Sequence, residues 1–254
     1  MPVAPRALFR LRRCGLAVGV TALCLMLPAR AAPAPFEDTM AQRTLACTAC
    51  HGAQGRAAPD GYYPRIAGKP AGYLYNQLLN FRNGHRTYQL MTQMVEPLSD
   101  SYLREIAEYF AALELPYPAH SSVPVSVQEL QRGEQLVRHG DTALRIPACE
   151  QCHGVALTGM QPSIPGLLGL PRDYLKSQLG AWSSGQRHAH APDCMATIAQ
   201  RLSAADAGAV TGWLASRPLP AVTKPAARLT APLPLECGSA FDASSAAPAG
   251  GNRP

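Results

Sequence analysis

The apolar positions of this chain recur at helical spacing in several separate runs. One run lies between Ser99 and Pro116 and another between Ser203 and Pro218, and in both the apolar residues return at about every third or fourth position. A serine before such a run favours an N-cap and a proline after it ends a helix, so both runs are predicted to be helices. Their apolar positions are Leu103, Ile106, Phe110 and Leu113 in the first run and Val210, Trp213 and Leu214 in the second.

Similar spacing predicts a middle helix in each half of the chain and an opening helix in the second half. The opening helix covers residues 129–139 and stops at Gly140, whereas its counterpart around residues 38–46 is shorter. Alternation typical of strands is scarce, so the predicted fold class is all-α. The middle helices carry Leu74, Leu78 and Phe81 in one half and Leu175, Leu179 and Trp182 in the other.

The two halves are copies of one domain. Nine identical pairs share an offset of 101 positions, and three more follow at an offset of 104, which indicates an internal duplication. The nine pairs are Pro64/Pro165, Gly68/Gly169, Pro70/Pro171, Tyr73/Tyr174, Leu74/Leu175, Gln77/Gln178, Leu78/Leu179, Gly84/Gly185 and Arg86/Arg187. The further three are Met91/Met195, Leu98/Leu202 and Ser99/Ser203.

The first 31 residues have the pattern of an export signal. Four arginines precede an uncharged, mostly apolar stretch at residues 14–27, and residues 29–31 offer a small-x-small cleavage site after Ala31. A retained membrane anchor is the alternative, but this stretch falls short of the ~20 residues that a spanning helix needs. The sequence therefore predicts cleavage of residues 1–31 and export to the periplasm.

Removal of the signal changes the charge of the chain. The full sequence carries a formal charge of +6, and the signal holds five arginines and no acidic residue, so +1 remains. This balance gives no support for nucleic-acid binding. The mature chain is predicted to form one domain at residues 32–117, a second at residues 118–217 and a Pro/Ala-rich tail at residues 218–254.

Each copy contains one C-x-x-C-H motif. Two thiols at this spacing reach the two vinyl groups of one haem and form thioethers, and the adjoining histidine becomes the proximal ligand of the iron. The alternatives are a redox-active dithiol, which would be expected in a βαβ context, and a zinc site shared by both pairs. The motifs predict two covalently bound haem c groups, attached at Cys47, Cys50 and His51 and at Cys149, Cys152 and His153.

A pure electron carrier needs a sixth ligand on each iron, because an open iron site binds small molecules. Met91 and Met195 each stand eight residues before the capping serine of the last helix, and this symmetry predicts them as the axial pair. A methionine ligand raises the reduction potential relative to a second histidine. The rivals are Met94 in the first copy and the loop histidines His85, His188 and His190, none of which is in register with another.

The order of these motifs resembles the dihaem cytochrome c4 family. In both copies the haem motif is followed by P-x-x-x-G, then Y-L-x-x-Q-L, then a methionine before L-S, and the resemblance covers about residues 44–216. It implies two tandem class I cytochrome c folds, in which Pro64 and Pro165 offer their carbonyls to the second ring nitrogen of the proximal histidines. The ligand pairs that it implies are His51 with Met91 and His153 with Met195.

Cys194 and Cys237 are left over as an even pair in an oxidising compartment. A disulfide between them is predicted, and it would strap the tail against the loop of Met195. In the alternative, the Cys194 thiolate replaces Met195 as iron ligand, as in dihaem enzymes that oxidise thiosulfate.

The sequence predicts an electron-transfer protein and not an enzyme. Its expected redox partners are a terminal oxidase, a quinol-oxidising complex or a periplasmic dehydrogenase, and peripheral membrane association stays open. Two alternatives are carried forward. One is a catalytic dihaem protein similar to thiosulfate dehydrogenase, and the other is a haem subunit fixed to a larger dehydrogenase through its extended tail.

Overall fold

The structure is a computed structural model that describes residues 37–58, 61–118, 124–227 and 231–240. The predicted export signal and the last part of the tail lie outside these residues. In the first copy the helices are α1 (Met40–Arg43), α2 (Leu45–His51), α3 (Ala71–Arg82), α4 (Gln89–Val95) and α5 (Asp100–Ala111), with a 3₁₀ turn at Ala53–Gly55.

The second copy repeats this order with a longer opening helix. Its elements are α6 (Val127–Arg138), α7 (Cys149–His153), β1 (Gly159–Met160), β2 (Ile164–Pro165), α8 (Arg172–Ser183), α9 (Cys194–Arg201) and α10 (Ala204–Ser216). The two short strands are antiparallel, with Gly159 opposite Pro165. The predicted all-α class is confirmed. In the described part of the chain, no helix combines the length and the apolar character that crossing a membrane requires.

Both predicted N-caps are confirmed. The Ser99 hydroxyl accepts a hydrogen bond from the backbone N–H of Tyr102 (3.3 Å), and the Ser203 hydroxyl accepts one from the backbone N–H of Asp206 (3.0 Å). The opening helix of the second copy starts with a capping box between Ser126 and Glu129. These local bonds fix where three of the longer helices begin.

The end of α5 differs from the prediction. The helix stops at Ala111, so Leu113 lies beyond it, although the apolar spacing continues towards Pro116. The buried guanidinium of Arg65 donates to the carbonyl oxygens of Leu115 (2.6 Å) and Pro116 (2.9 Å). A tertiary contact thus holds this segment out of the helix.

Two of the helices that were not predicted carry the two candidate axial methionines. Met91 lies on α4 and Met195 lies on α9. Asp193 caps α9, because its Oδ1 accepts a hydrogen bond from the backbone N–H of Ala196 at 3.0 Å. Both helices have eight residues or fewer, which leaves too few turns for a clear apolar period.

Each copy has a hydrophobic core of its own. The first core is built from α3, α4 and α5, and the second from α6, α8, α10 and the loops between them. The first core consists of Leu74, Tyr75, Leu79, Phe81, Val95, Leu103, Ile106, Ala107 and Phe110. The second core consists of Leu136, Val137, Leu157, Leu168, Leu170, Leu175, Val210, Trp213 and Leu214.

The two copies meet through a symmetric set of polar residues. Arg86 and Arg187 pair in an antiparallel bridge. The Gln77 side-chain oxygen accepts from the guanidinium groups of Arg86 (3.0 Å) and Arg187 (2.7 Å), and the Gln178 oxygen accepts from the same two groups (2.8 and 2.5 Å). All four residues are identical pairs of the duplication, so the contact has approximate two-fold symmetry.

The described part of the tail wraps the second copy. Ala226 exchanges backbone hydrogen bonds with Gly159 (2.9 Å) and Gln161 (2.8 Å), which adds a residue to the edge of β1. Further on, Leu233 and Cys237 pack against a small cluster formed by Met160, Ile164 and Ala240. The described residues of the tail therefore belong to the fold of the second copy.

Two candidate haem sites

The first cavity lies beside the first C-x-x-C-H motif. Its volume is about 570 Å³, and its lining includes Cys47, Cys50, His51 and Met91. Apolar side chains of the first core complete its wall. The structure thus brings the predicted attachment residues and the predicted axial methionine of this copy to one cavity.

The second cavity repeats this arrangement in a narrower space. Its volume is about 180 Å³, and Cys149, Cys152, His153 and Met195 line it. The tail also contributes to this wall, and its lining residues are Leu233, Leu235, Cys237, Ser239 and Ala240. Because the two C-x-x-C pairs face separate cavities, they are not placed to share one metal ion.

Both motif histidines are buried and held by the same kind of hydrogen bond. The Nδ1 atom of His51 lies 2.8 Å from the carbonyl oxygen of Pro64, and the Nδ1 atom of His153 lies 2.8 Å from that of Pro165. A carbonyl only accepts, so Nδ1 donates and a proton-free Nε2 remains to bind a metal. Burial lowers the pKa of both histidines, which favours the neutral form that ligates iron.

Neither cysteine of the second motif, nor Cys47 of the first, has the lowered pKa of a redox-active thiol. Such a pair needs a thiol with a lowered pKa. Here burial raises the pKa of Cys149 to about 12 and also raises the pKa of Cys47 and Cys152. The cysteines of both motifs line the cavities, so a group that occupies a cavity would adjoin them.

Of the four alternative iron ligands that the sequence offered, two line a cavity and two do not. Met94 lines the first cavity together with Met91, and His190 lines the second cavity together with Met195. His85 and His188 line neither cavity and meet instead at the junction of the two copies, where the His188 N–H donates to the His85 carbonyl at 2.6 Å.

Cys194 and Cys237 form a disulfide in the structure, with their Cα atoms 5.0 Å apart. The bond closes 43 positions of chain. It fixes the tail next to Met195, because Cys194 is the first residue of α9. The Cys194 sulfur is therefore bonded to Cys237 and is not a thiolate.

Between the two cavities lie cations without ion-pair partners. Lys69 and Arg187 line both cavities and are 8% and 3% exposed, and Arg86 lines the first. None of the three forms an ion pair with a carboxylate of the described residues, and the Arg187 Nε atom has no hydrogen-bond partner there. A buried cation without an anion is costly. The site therefore fits a group that brings its own carboxylates, as haem does with its propionates.

The same charges act on a tyrosine at the junction. Burial alone raises the pKa of Tyr73, but Arg187, Arg86 and Lys69 bring it down to about 8. The sequence analysis assigned no role to this cluster. The signal that could have found it is the pairing of Gln77/Gln178 and Arg86/Arg187, since polar residues kept in both copies of a duplication indicate a shared task.

Comparisons with known proteins agree with this geometry. No family model matches the chain. A "Thiosulfate dehydrogenase electron acceptor" of Thiomonas intermedia (strain K12) is 36% identical over 214 residues, which cover 84% of this chain and 95% of the relative. A "Cytochrome c4" of Pseudomonas aeruginosa is 34% identical over 171 residues, which cover 66% of this chain and 82% of the relative.

A solved structure has the same fold. The crystal structure of reduced recombinant cytochrome c4 from Pseudomonas stutzeri matches with a TM-score of 0.58 and 29% identity, and the match covers 69% of this chain and 95% of that one. The fold, the two C-x-x-C-H motifs in separate cavities and these relatives lead to one conclusion. The chain belongs to the dihaem cytochrome c4 family, an electron carrier with two covalently bound haem c groups.

Proposed function

We propose that this carrier works in the periplasm, takes single electrons from a thiosulfate-oxidising dehydrogenase and passes them towards a terminal oxidase. The observation that carries the proposal is the matched pair of sulfur and imidazole groups in each cavity, His51 with Met91 and His153 with Met195. When bound, each haem supplies an iron that takes up and releases one electron. The donor is suggested by the relative from Thiomonas intermedia, whose name states that role.

With a histidine and a methionine as ligands, each iron would have no open position for a substrate, which supports a carrier and not an enzyme. The enzyme alternative depends on a Cys194 thiolate. The bond between Cys194 and Cys237 removes that thiolate and supports Met195 as the ligand. The described part of the tail lines the second cavity, which favours a role in the fold of the second copy over attachment of a haem subunit to a larger dehydrogenase through those residues.

The test is to produce the full chain in an export-competent host that attaches haem c, and then to measure haem content and reduction. We expect two haems per chain, no reduction by thiosulfate alone, and reduction of both haems when a catalytic amount of thiosulfate dehydrogenase is added. Reduction by thiosulfate without that enzyme would assign the protein to the catalytic class.

A further inference from the structure

The tail is bonded to the helix of one of the two candidate axial methionines. Cys194, which begins α9 directly before Met195, forms a disulfide with Cys237 of the tail. At the register of the duplication, the residue before Met91 is Leu90, which has no thiol. Among the described residues, no disulfide therefore ties the helix of Met91 to another segment. The two candidate haem sites thus differ in how firmly their methionine helices are attached.

The tail also lies backbone against backbone on the loop before α9. The Gly238 N–H donates to the carbonyl oxygen of Pro192 at 3.0 Å. A Cβ atom at Gly238 would collide with the carbonyl group of Ala191, so this approach requires a residue without a side chain. Asp193, the next residue of the loop, caps α9. The tail therefore supports the loop from which the helix of Met195 begins.

Ser239 connects the same loop to two other parts of the molecule. Its hydroxyl accepts from the backbone N–H of His190 at 3.1 Å. Its carbonyl oxygen accepts from the Ser163 hydroxyl at 2.7 Å and from the Asn76 amide at 3.5 Å. Ser163 lies between β1 and β2, and Asn76 lies on α3 of the first copy. Residues 237–239 are therefore fixed by hydrogen bonds to both copies as well as by the disulfide.

A methionine leaves an iron more readily when the segment that carries it can move away. For Met195 such a movement would have to carry Cys194, and with it Cys237 and the hydrogen bonds of Ser239. A ligand that is already held in its binding position loses little conformational entropy when it binds, so it binds more tightly. Groups outside the coordination sphere act on metals in this way when they orient the ligands. The tail therefore favours the bound position of Met195.

We propose that residues 237–239 of the tail position Met195 as the ligand of the second iron, through the disulfide and the hydrogen bonds of Ser239. This inference rests on the ligand pairs of the proposed function. It adds that the two haems differ in how readily a foreign ligand displaces their methionine. The first haem exchanges its methionine more readily, because Met91 has no covalent support of this kind among the described residues.

The test measures how fast imidazole displaces methionine in the haem-loaded, ferric protein. Excess imidazole binds ferric iron, and the absorbance of the thioether–ferric iron pair disappears as it does so. Stopped-flow recording should give two phases of equal amplitude in the wild type, one for each haem. Cys194→Ser together with Cys237→Ser removes the disulfide and leaves no thiol there that could bind the iron. Gly238→Ala is the second variant, because it pushes the tail off the loop while both cysteines are kept.

We expect the double variant to speed the slower phase by about tenfold or more, since a disulfide that closes a loop of this length typically stabilises by more than that factor. The faster phase should stay within about twofold, because it belongs to the other copy. Gly238→Ala should speed the same slower phase. Gly133→Ala is the control for general loosening of the second copy, because a Cβ atom there meets Ala209 and Trp213, neither of which lines the second cavity.

A slower phase that is unchanged in both tail variants, or that Gly133→Ala speeds equally, overturns the positioning role. Met195→Leu assigns the phases, since it should remove the slower one. If it removes the faster one, the tail does not retain the methionine and the inference fails while the ligand pair stands. If it leaves both phases intact, Met195 is not an iron ligand, and the ligand pair of the proposed function is wrong together with this inference.

Discussion

At the scale of single residues, the first cavity presents two methionines on one helix. Met91 and Met94 lie three positions apart on α4, and both line the cavity. Met91 packs against the first core, whereas Met94 is 43% exposed. Met91 also has a counterpart, Met195, in the second cavity, and Met94 has none. These differences assign the axial position to Met91 in our proposal.

The first prediction separates the two methionines. Met91→Leu removes the thioether, so the absorbance of the thioether–ferric iron pair should fall by half and one haem potential should drop by on the order of 0.1 V. Met94→Leu is the matched control and should leave the spectrum and both potentials unchanged. A redox titration with spectra measures both effects. The reverse outcome would make Met94 the ligand.

Residues whose role depends on their immediate neighbours in the chain could be predicted from the sequence, and residues whose role depends on distant contacts could not. His51 and His153 adjoin their cysteine pairs, so a motif of five residues names them. The contacts of Arg187 with Gln77 span 110 positions, and no local pattern reports a contact at that distance. Met91 and Met195 are an intermediate case. The duplication identifies them as a matched pair, but the sequence does not show that they line the same cavities as the histidines.

At the scale of elements, the helices with caps and long apolar runs were predicted and the short ones were not. The crossing of α6 and α10 shows what sequence pattern leaves out. A Cβ atom at Gly133 would lie 2.3 Å from the Ala209 carbonyl oxygen and 2.6 Å from the Trp213 Cβ, so the two helices touch backbone to backbone there. A glycine inside a helical run is normally a weak point. Here it permits the contact that forms the second core.

The second prediction tests that crossing. Gly133→Ala forces α6 and α10 apart and should lower the free energy of unfolding by about 2–3 kcal/mol, the cost typical of overpacking. Gly180→Ala is the control within a helix of the same copy, because a Cβ at Gly180 has no heavy atom within 4 Å. It should raise stability by about 0.5–1 kcal/mol through helix propensity. Urea unfolding followed by circular dichroism gives both values, and equal effects would refute the close crossing.

At the scale of the whole molecule, the question is whether two copies with separate cores act as one body. The described residues from Asp38 onward form one compact unit. The contact between the copies combines the Arg86/Arg187 bridge with two glutamine oxygens, and each oxygen accepts from both guanidinium groups. Every member has a counterpart in the other copy, so the duplication itself supplied a self-complementary surface. This junction also borders both cavities, so the positive charge of Arg187 lies next to both haem sites and that of Arg86 lies next to the first.

The last prediction concerns this junction. Gln178→Leu removes an acceptor from Arg86 and Arg187 and leaves guanidinium N–H groups unsatisfied, so it should cost about 2 kcal/mol. Because the junction is symmetric, Gln77→Leu should cost about the same. Gln200→Leu, at an exposed position of α9, is the control and should have little effect. If the junction couples the copies, thermal unfolding of the holoprotein by calorimetry should change from one transition to two in the first two variants. A single unshifted transition in both would mean that the copies are held together by other contacts, since the symmetric junction would then contribute no measurable coupling.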